Sequence, residues 1–302
     1  MDAVISYVNG CEKVWRTKFN KYSAFTPLKY NWFYDWGTLK YVLRGISTYM
    51  PYIDNVFLVV SNIEQVPDYV DQSKVKIVLH KDFIPKKHLP VFQPNTIEIF
   101  MHMIPGLGKE FVYFNDDTIP ISPIAYDDLI CDGKPFISFC ENHKKRSMSC
   151  SIIKNSYTYA NIYMNISKPD NYPLDKDDFG ICPIHGPTVF LKSNNKNVYN
   201  VMKHSFEKKL TLERTNNNIN QYVYSDVLYF TKEYVESNLT LTYIRTDDLS
   251  ADTCKDDISS INTNYLCIND FGSINGLTLK ESSDVLQNAL NIKLPDKCKY
   301  EL

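Results

Sequence analysis

The stretch Phe111-Val-Tyr-Phe-Asn-Asp-Asp117 is an apolar run that ends abruptly in an amide and two adjacent carboxylates. The run predicts a buried strand that delivers Asn115, Asp116 and Asp117 to one edge of a sheet. In open α/β sheets, ligands bind beyond the carboxyl ends of the strands, where carboxylate oxygens suit a divalent cation that carries phosphates. The alternative is a simple turn, because Asn and Asp often follow strands and bond to their own backbone.

Strand and helix patterns alternate on both sides of this stretch. Apolar runs predict strands over residues 3–8, 55–61 and 75–80, and apolar residues at helical spacing predict helices over residues 35–49 and 95–103. Such alternation is typical of an α/β fold in which helices flank a twisted parallel or mixed sheet.

The C-terminal half continues this pattern. Helices are predicted over residues 197–209 and from Ile219 onwards. A further apolar run begins at Leu266 and ends in Asn269 and Asp270, which repeats the arrangement of a strand followed by polar ligands. This second segment is therefore expected to contribute to the same kind of site.

The whole chain, residues 1–302, is expected to form a single domain. Residues 141–178 are rich in Lys, Ser, Asn and Tyr and show no clear period. This segment is predicted to be an insertion within the domain, with the character of a flexible lid.

Composition narrows the classes of function. The chain has 302 residues and a formal net charge of -2, so it lacks the basic field that a nucleic-acid partner usually requires. No apolar run approaches the roughly 20 residues of a membrane span, and the sequence predicts no secretory signal before the first strand. We expect a cytoplasmic protein whose membrane contact, if it has one, is peripheral, and whose scattered cysteines stay reduced.

Several segments together resemble the Stealth proteins, which include bacterial capsule and cell-wall polysaccharide phosphotransferases and the α/β subunit of N-acetylglucosamine-1-phosphotransferase. The first block of that family is similar to Asp2-Ala-Val-Ile-Ser-Tyr-Val-Asn-Gly10. The second block resembles, in order, Leu39-Lys-Tyr-Val-Leu-Arg44, Asn55-Val-Phe-Leu-Val-Val60, Gln65-Val-Pro67, Leu89-Pro-Val-Phe92, Asn95-Thr-Ile-Glu98, His102-Met-Ile-Pro-Gly-Leu107 and Tyr113-Phe-Asn-Asp-Asp117. The third and fourth blocks are similar at His185-Gly-Pro187, at Arg214 and at Cys267-Ile-Asn-Asp270.

The resemblance implies a fold and a reaction. The fold is a nucleotide-sugar transferase (GT-A-like) core, whose site is completed by helical elements in the C-terminal third. The reaction is transfer of a hexose-1-phosphate or N-acetylhexosamine-1-phosphate from a UDP-sugar to a hydroxyl of an acceptor glycan, with release of UMP. The implied product is a phosphodiester-containing capsular polysaccharide. The acceptor would be lipid-linked and would lie at the inner face of the cell membrane.

The roles of single residues follow from the resemblance and from their chemistry. Mg²⁺ or Mn²⁺ is expected on Asp116, Asp117, Asn269 and Asp270. The catalytic candidates are His185, Glu98, Asp117 and Arg214, where His185 is the first candidate for the base, Glu98 its rival, and Asp117 also open to that role. The candidates for contact with the donor nucleotide or its phosphates are Asn9, Gly10, Arg44 and Asn115.

Two departures from the family pattern bear on activity. Trp36 stands where relatives usually carry Asn, and Asn218 stands where they carry Asp. Two other classes of function also stay open at this point. A metal-dependent glycosyltransferase would use the same carboxylates but release UDP, whereas a glycan-binding module would leave the acidic and basic residues unexplained.

Overall fold

The computed structural model describes residues 1–23, 33–139, 150–167 and 182–302. The strands in these residues are β1 (Asp2–Ser6), β2 (Asn55–Val60), β3 (Val75–Leu79), β4 (Glu110–Asn115), β5 (Thr118–Pro120), β6 (Ile130–Cys131), β7 (Lys134–Ile137), β8 (Thr188–Leu191), β9 (Val235–Glu236), β10 (Leu241–Arg245) and β11 (Tyr265–Asn269). The α-helices in the same residues are α1 (Lys13–Tyr22), α2 (Leu39–Tyr49), α3 (His80–Phe83), α4 (Pro94–Phe100), α5 (Ser151–Ser167), α6 (Lys192–Glu207), α7 (Tyr222–Thr231), α8 (Cys254–Ser260) and α9 (Leu279–Lys293).

The central sheet is mixed. Its strand order is β3-β2-β1-β4-β8, in which the first four strands run parallel and β8 is antiparallel to β4. Ser6 at the end of β1 pairs with Asn115 at the end of β4. Asp116 and Asp117 therefore leave the sheet at its carboxyl edge, and the predicted α/β fold with a mixed sheet and flanking helices is confirmed.

Successive residues of β4 point into two different hydrophobic clusters, as the period of two in a strand requires. Val112 and Phe114 pack with buried residues of α2 and α9, whereas Phe111 and Tyr113 pack with buried residues of α4, α6 and α7. Because both faces are covered, the strand reads in the sequence as an unbroken apolar run.

A second sheet brings the end of β11 to the end of β4. Its strand order is β10-β11-β5, with β10 and β11 parallel and β5 antiparallel to β11. Strand β5 begins directly after Asp117, and its first residue, Thr118, pairs with Cys267. Asn269 and Asp270 follow shortly after Cys267, so the two predicted ligand segments lie side by side.

Gly45 lets α2 pack closely against β5. A Cβ atom built on Gly45 would collide with the carbonyl oxygen of Pro120. We expect Gly45→Ala to lower the free energy of unfolding by about 1–3 kcal/mol, because the helix must move away from the strand. Urea unfolding measures this loss, and Thr48→Ala on the exposed side of α2 is the control. A change of less than about 0.5 kcal/mol for Gly45→Ala would contradict the close packing.

Helix α5 lies within the segment predicted to be an insertion. Its buried residues Ser156, Ala160 and Met164 recur every four positions, and polar residues between them conceal this period in the sequence. Residues 141–149 and 168–178 lie outside the described residues. The insertion or lid, and the single domain, therefore stay predictions.

Candidate active site

A network of hydroxyl and amide groups joins the ends of β1 and β4. The hydroxyl of Tyr113 lies 2.7 Å from Ser6 Oγ and donates a hydrogen bond to Asn115 Oδ1 at 2.9 Å. This bond holds the side chain of Asn115 against the sheet. If Asn115 contacts the donor as predicted, it would do so through its Nδ2, because its Oδ1 is engaged by Tyr113.

Four carboxylates gather at this edge of the sheet. Burial raises the pKa of Asp116 well above its usual range, and the negative charges of Asp117 and Asp35 raise it further. Asp35 is held in place by the hydroxyl of Tyr7, which donates to its Oδ2 at 2.7 Å. Burial also raises the pKa of Asp117, and raises that of Asp270 to about 6. A bound cation would favour the charged form of all these groups.

The carboxylate of Asp270 fits the role of a cation ligand. Its Oδ1 accepts a hydrogen bond from the backbone N–H of Gly272 at 3.1 Å, whereas its buried Oδ2, with the Trp36 indole nearby, accepts no hydrogen bond of normal length from the described residues. A buried, unpaired carboxylate oxygen is costly unless a positive charge satisfies it. The residues predicted as ligands, Asp116, Asp117, Asn269 and Asp270, thus offer the hard oxygen atoms that Mg²⁺ or Mn²⁺ prefers.

The packing of Gly186 places His185 beside these carboxylates. A Cβ atom at Gly186 would lie 2.7 Å from Leu241 Cδ1, so glycine lets this loop pass close to β10. The Nε2 atom of His185 lies 3.2 Å from Asn269 Nδ2. Burial is the largest influence on the pKa of Asp117, and the charge of His185 opposes it. The structure therefore brings His185, Asp117 and Asn269 together.

Cys267 is a member of this site that the sequence did not single out. Its Sγ lies 3.8 Å from Asp117 Oδ2, and the ligand atoms of Asp117, His185 and Cys267 all lie within 4.8 Å of one another. Cys267 and Asn269 are two positions apart on β11, which places both on one face of the strand. That alternation is the available signal in the sequence, but it does not separate a site residue from a core residue, because cysteines are common in cores.

Glu98 lies deeper in the molecule. Glu98 is only 4% exposed, and its Oε2 accepts a hydrogen bond from the backbone N–H of Gln221 at 3.2 Å. Burial raises the pKa of Glu98 to about 7, against smaller opposing effects of Gln221, Arg214 and Tyr113. Arg214 is exposed. The two predicted catalytic residues are thus neighbours, but Glu98 is too buried to meet an acceptor hydroxyl directly.

Glu98→Gln is expected to stabilise the protein most at high pH. The ordinary pKa of 4.5 becomes about 7 in the folded state, so folding loses stability as the pH rises through this range. At pH values above this range, the charged Glu98 lowers the free energy of unfolding by about 3 kcal/mol. Glutamine carries no charge and still accepts the bond from Gln221. Thermal denaturation near pH 5 and near pH 8.5 measures the difference, with the exposed Glu236→Gln as control. An equal gain at both pH values would contradict a buried charge.

The assignment of Arg44 to the donor phosphates is corrected by the structure. Its guanidinium group donates to both carboxylate oxygens of Glu301, at 2.8 and 3.0 Å, and to the carbonyl oxygen of Leu294 at 2.7 Å. The residue is 6% exposed. Arg44 therefore fastens the C-terminal segment to α2 and has no free face for a phosphate.

Asn9 and Gly10 form the turn that the sequence predicted after β1. The N–H of Gly10 donates to the carbonyl oxygen of Phe33 at 2.6 Å, and Asn9 Oδ1 accepts from the N–H of Cys11 at 2.9 Å. Gln65 bonds to both the N–H and the carbonyl of Asn9. These bonds fix the turn, and its contact with a uridine stays a prediction.

The two departures from the family pattern have different structural settings. Trp36 is buried beside Asp270, where its nearby indole N–H lowers the pKa of that carboxyl against the larger effect of burial. Ser283 of α9 donates to the carbonyl oxygen of Trp36 at 3.1 Å, so the C-terminal helix supports this wall of the site. Asn218 is fully buried, and its Nδ2 donates to the carbonyl oxygen of Lys209 at 2.7 Å. Asn218 thus shapes the loop that carries Arg214.

The sequence is similar to a family model and to two curated proteins. Residues 32–135 match the family model described as Stealth protein conserved region 2. The chain is 34% identical over 174 residues to the receptor polysaccharide phosphotransferase WefC of Streptococcus oralis, covering 55% of this chain and 49% of that protein. It is 32% identical over 174 residues to the capsular polysaccharide phosphotransferase WcwK of Streptococcus pneumoniae, with the same coverage of 55% and 49%.

The chain thus spans about half the length of these curated relatives. Among solved structures, galactosyltransferase LgtC in complex with donor and acceptor sugar analogs is 7% identical, with a TM-score of 0.48 over 95% of this chain and 96% of that chain. The likeness to this solved structure is weak. The family model and the relatives support one another, and they confirm the resemblance to the Stealth family that the motifs indicated, most directly over residues 32–135.

Proposed function

We propose that the protein transfers a hexose-1-phosphate or N-acetylhexosamine-1-phosphate from a UDP-sugar to a hydroxyl of an acceptor glycan, with release of UMP. The observation that carries the proposal is the meeting of Asp117, from the matched region at residues 32–135, with His185 and Asp270 from the rest of the chain. The relatives WefC and WcwK are named polysaccharide phosphotransferases, which supports the phosphotransfer part of this proposal.

The carboxyl edge of the sheet is the proposed place of the donor diphosphate. A divalent cation held by Asp116, Asp117, Asn269 and Asp270 would offset negative charge on the phosphate oxygens during transfer. The chain's own contribution is to hold these ligands in place. Asn269 is suited to a double role, because its Nδ2 faces His185 while its Oδ1 stays available to the cation.

His185 is the proposed general base. It takes the proton of the acceptor hydroxyl, whose oxygen forms a bond to the β-phosphorus of the donor. The bond between the β-phosphorus and the oxygen that bridges to the α-phosphorus breaks, and UMP leaves with that oxygen. The exposure of His185 at the rim of the site supports this assignment over the buried Glu98.

Arg214 is proposed to bind the donor phosphates, because it is exposed, its charge acts on Glu98, and a guanidinium offers a bidentate fork. Arg214→Ala should raise the KM for the UDP-sugar by about tenfold or more and lower kcat as well. Arg214→Lys should recover only part of the loss, because an ammonium group cannot form the paired bonds. Initial rates at varied donor concentration measure both effects. Unchanged kinetics in Arg214→Ala would place this residue outside the donor site.

The proposed acceptor is a lipid-linked oligosaccharide at the inner face of a bacterial membrane, and the proposed product is a phosphodiester-containing capsular polysaccharide. In the described residues, no helix combines the length and the apolar character that a membrane span needs. Flotation with liposomes, with and without lipid-linked acceptor, tests the peripheral contact.

Identification of the released nucleotide tests the reaction itself. The purified protein is incubated with Mg²⁺ or Mn²⁺, a panel of UDP-sugars and a glycan acceptor, and the nucleotides are separated by chromatography. UMP together with an acceptor that gains a sugar phosphate is the expected result. UDP together with an acceptor that gains only a sugar would identify a glycosyltransferase and overturn the proposal.

A further inference from the structure

A thiol is an unusual neighbour for the carboxylates of a magnesium site. Mg²⁺ and Mn²⁺ are hard cations that take oxygen ligands, whereas thiolate sulfur and imidazole nitrogen suit zinc and related metals. Cys267 nevertheless has its Sγ 3.8 Å from Asp117 Oδ2. The antiparallel pairing of β5 with β11, which sets Thr118 opposite Cys267, fixes this arrangement in the backbone.

We propose that Asp117, His185 and Cys267 form a second cation site, which takes Zn²⁺ or another thiophilic divalent cation and inhibits the enzyme when it is occupied. The three residues offer one oxygen, one nitrogen and one sulfur atom, all within 4.8 Å of one another. Three protein ligands of these types and one open position are the donor set that zinc accepts in proteins.

The distance between two of the ligand atoms agrees with tetrahedral coordination. A zinc ion with bonds of about 2.3 Å to sulfur and about 2.1 Å to oxygen holds these two atoms about 3.6 Å apart at a tetrahedral angle. The observed separation of Asp117 Oδ2 and Cys267 Sγ is 3.8 Å. The ring of His185 offers a nitrogen within 4.8 Å of both atoms as the third ligand, and the thiol proton passes to solvent as the cation binds.

Inhibition follows from which residues the cation engages. A cation on the ring of His185 removes the lone pair that the base needs, and a cation on Asp117 withdraws this carboxylate from the magnesium site. This inhibitory consequence rests on the proposed function, whereas binding of the cation does not. The two claims can therefore be tested separately.

Co²⁺ is the probe for binding, because a thiolate bound to cobalt gives a charge-transfer absorption in the near ultraviolet that oxygen and nitrogen ligands do not give. The purified protein, without substrates, is titrated with Co²⁺ and then with Zn²⁺. We expect the thiolate absorption to appear, to be lost in Cys267→Ser, and to be displaced by Zn²⁺. Cys131→Ser, which removes an exposed cysteine outside the site, is the control and should retain it. A spectrum without this absorption, or one that survives in Cys267→Ser, would overturn the site.

Zinc inhibition is the second measurement. Turnover with Mg²⁺ is followed at rising Zn²⁺, and each variant is compared with its own rate without zinc. Cys267→Ser should need more than about tenfold more Zn²⁺ for half inhibition, since even loss of a residue that only hydrogen-bonds to a metal ligand costs about 10- to 100-fold in affinity. Equal sensitivity in Cys267→Ser and the unaltered protein would overturn the inhibitory role. If the protein proves to have another activity, the cobalt titration still decides the cation site.

Discussion

Replacing Asp117 with asparagine is expected to reduce turnover by at least about 10²-fold, because the reaction depends on charge held at fixed positions around the phosphates. Asparagine keeps the shape of the side chain and the oxygen that accepts from Thr118 at 3.1 Å. It removes the negative charge that a divalent cation needs. Initial rates at saturating Mg²⁺ measure the loss.

The fold of Asp117→Asn should be preserved or slightly stabilised. Burial already raises the pKa of this carboxyl, so the folded protein gains nothing from the charge when no cation is bound. Asp127→Asn, which changes an exposed acid away from the site, should leave the rate unchanged. A near-normal rate for Asp117→Asn at saturating Mg²⁺ would remove Asp117 from the cation site.

His185→Ala is the second change with a large expected effect. A general base contributes about 10²- to 10⁴-fold, so kcat should fall by this factor while the affinity for the UDP-sugar changes little. Equilibrium binding of the donor and single-turnover rates separate the two quantities. Added imidazole should restore part of the rate, because it can enter the space left by the exposed ring and accept the proton.

The histidine control is His204→Ala, which removes an exposed side chain from α6. Its rate should match that of the unaltered protein. A fall in donor affinity without a fall in kcat for His185→Ala would show that His185 binds substrate but is not the base. The base would then have to be sought at Asp117.

The local parts of the site could be predicted from the sequence. The run that ends in Asn115, Asp116 and Asp117 was recognisable because a strand covered on both faces is apolar throughout and its polar end stands out. The segment ending in Asn269 and Asp270 was found by the same pattern. Motif resemblance added what spacing alone does not reveal, namely the link between these segments and His185.

Contacts between distant parts of the chain were not predictable in this way. The family resemblance predicts a contact of Arg44 with the donor, but Arg44 is paired with Glu301, which is 257 positions away. Cys267 lies 150 positions from Asp117, and only the pairing of β5 with β11 brings them together. Neither contact can be recognised from the neighbouring residues in the sequence, because the arrangement of sheets and helices decides which distant residues meet.

The fate of the β-phosphorus tests the central claim most directly. A UDP-sugar labelled with ³²P in the β-phosphate is incubated with the enzyme, Mg²⁺ and the glycan acceptor, and the label is followed into the products. Transfer of sugar-1-phosphate predicts that the label moves to the acceptor and that unlabelled UMP is released. This result cannot arise from secondary hydrolysis of UDP, which would send the label into inorganic phosphate. Label that stays in UDP while the acceptor gains an unlabelled sugar would contradict the account.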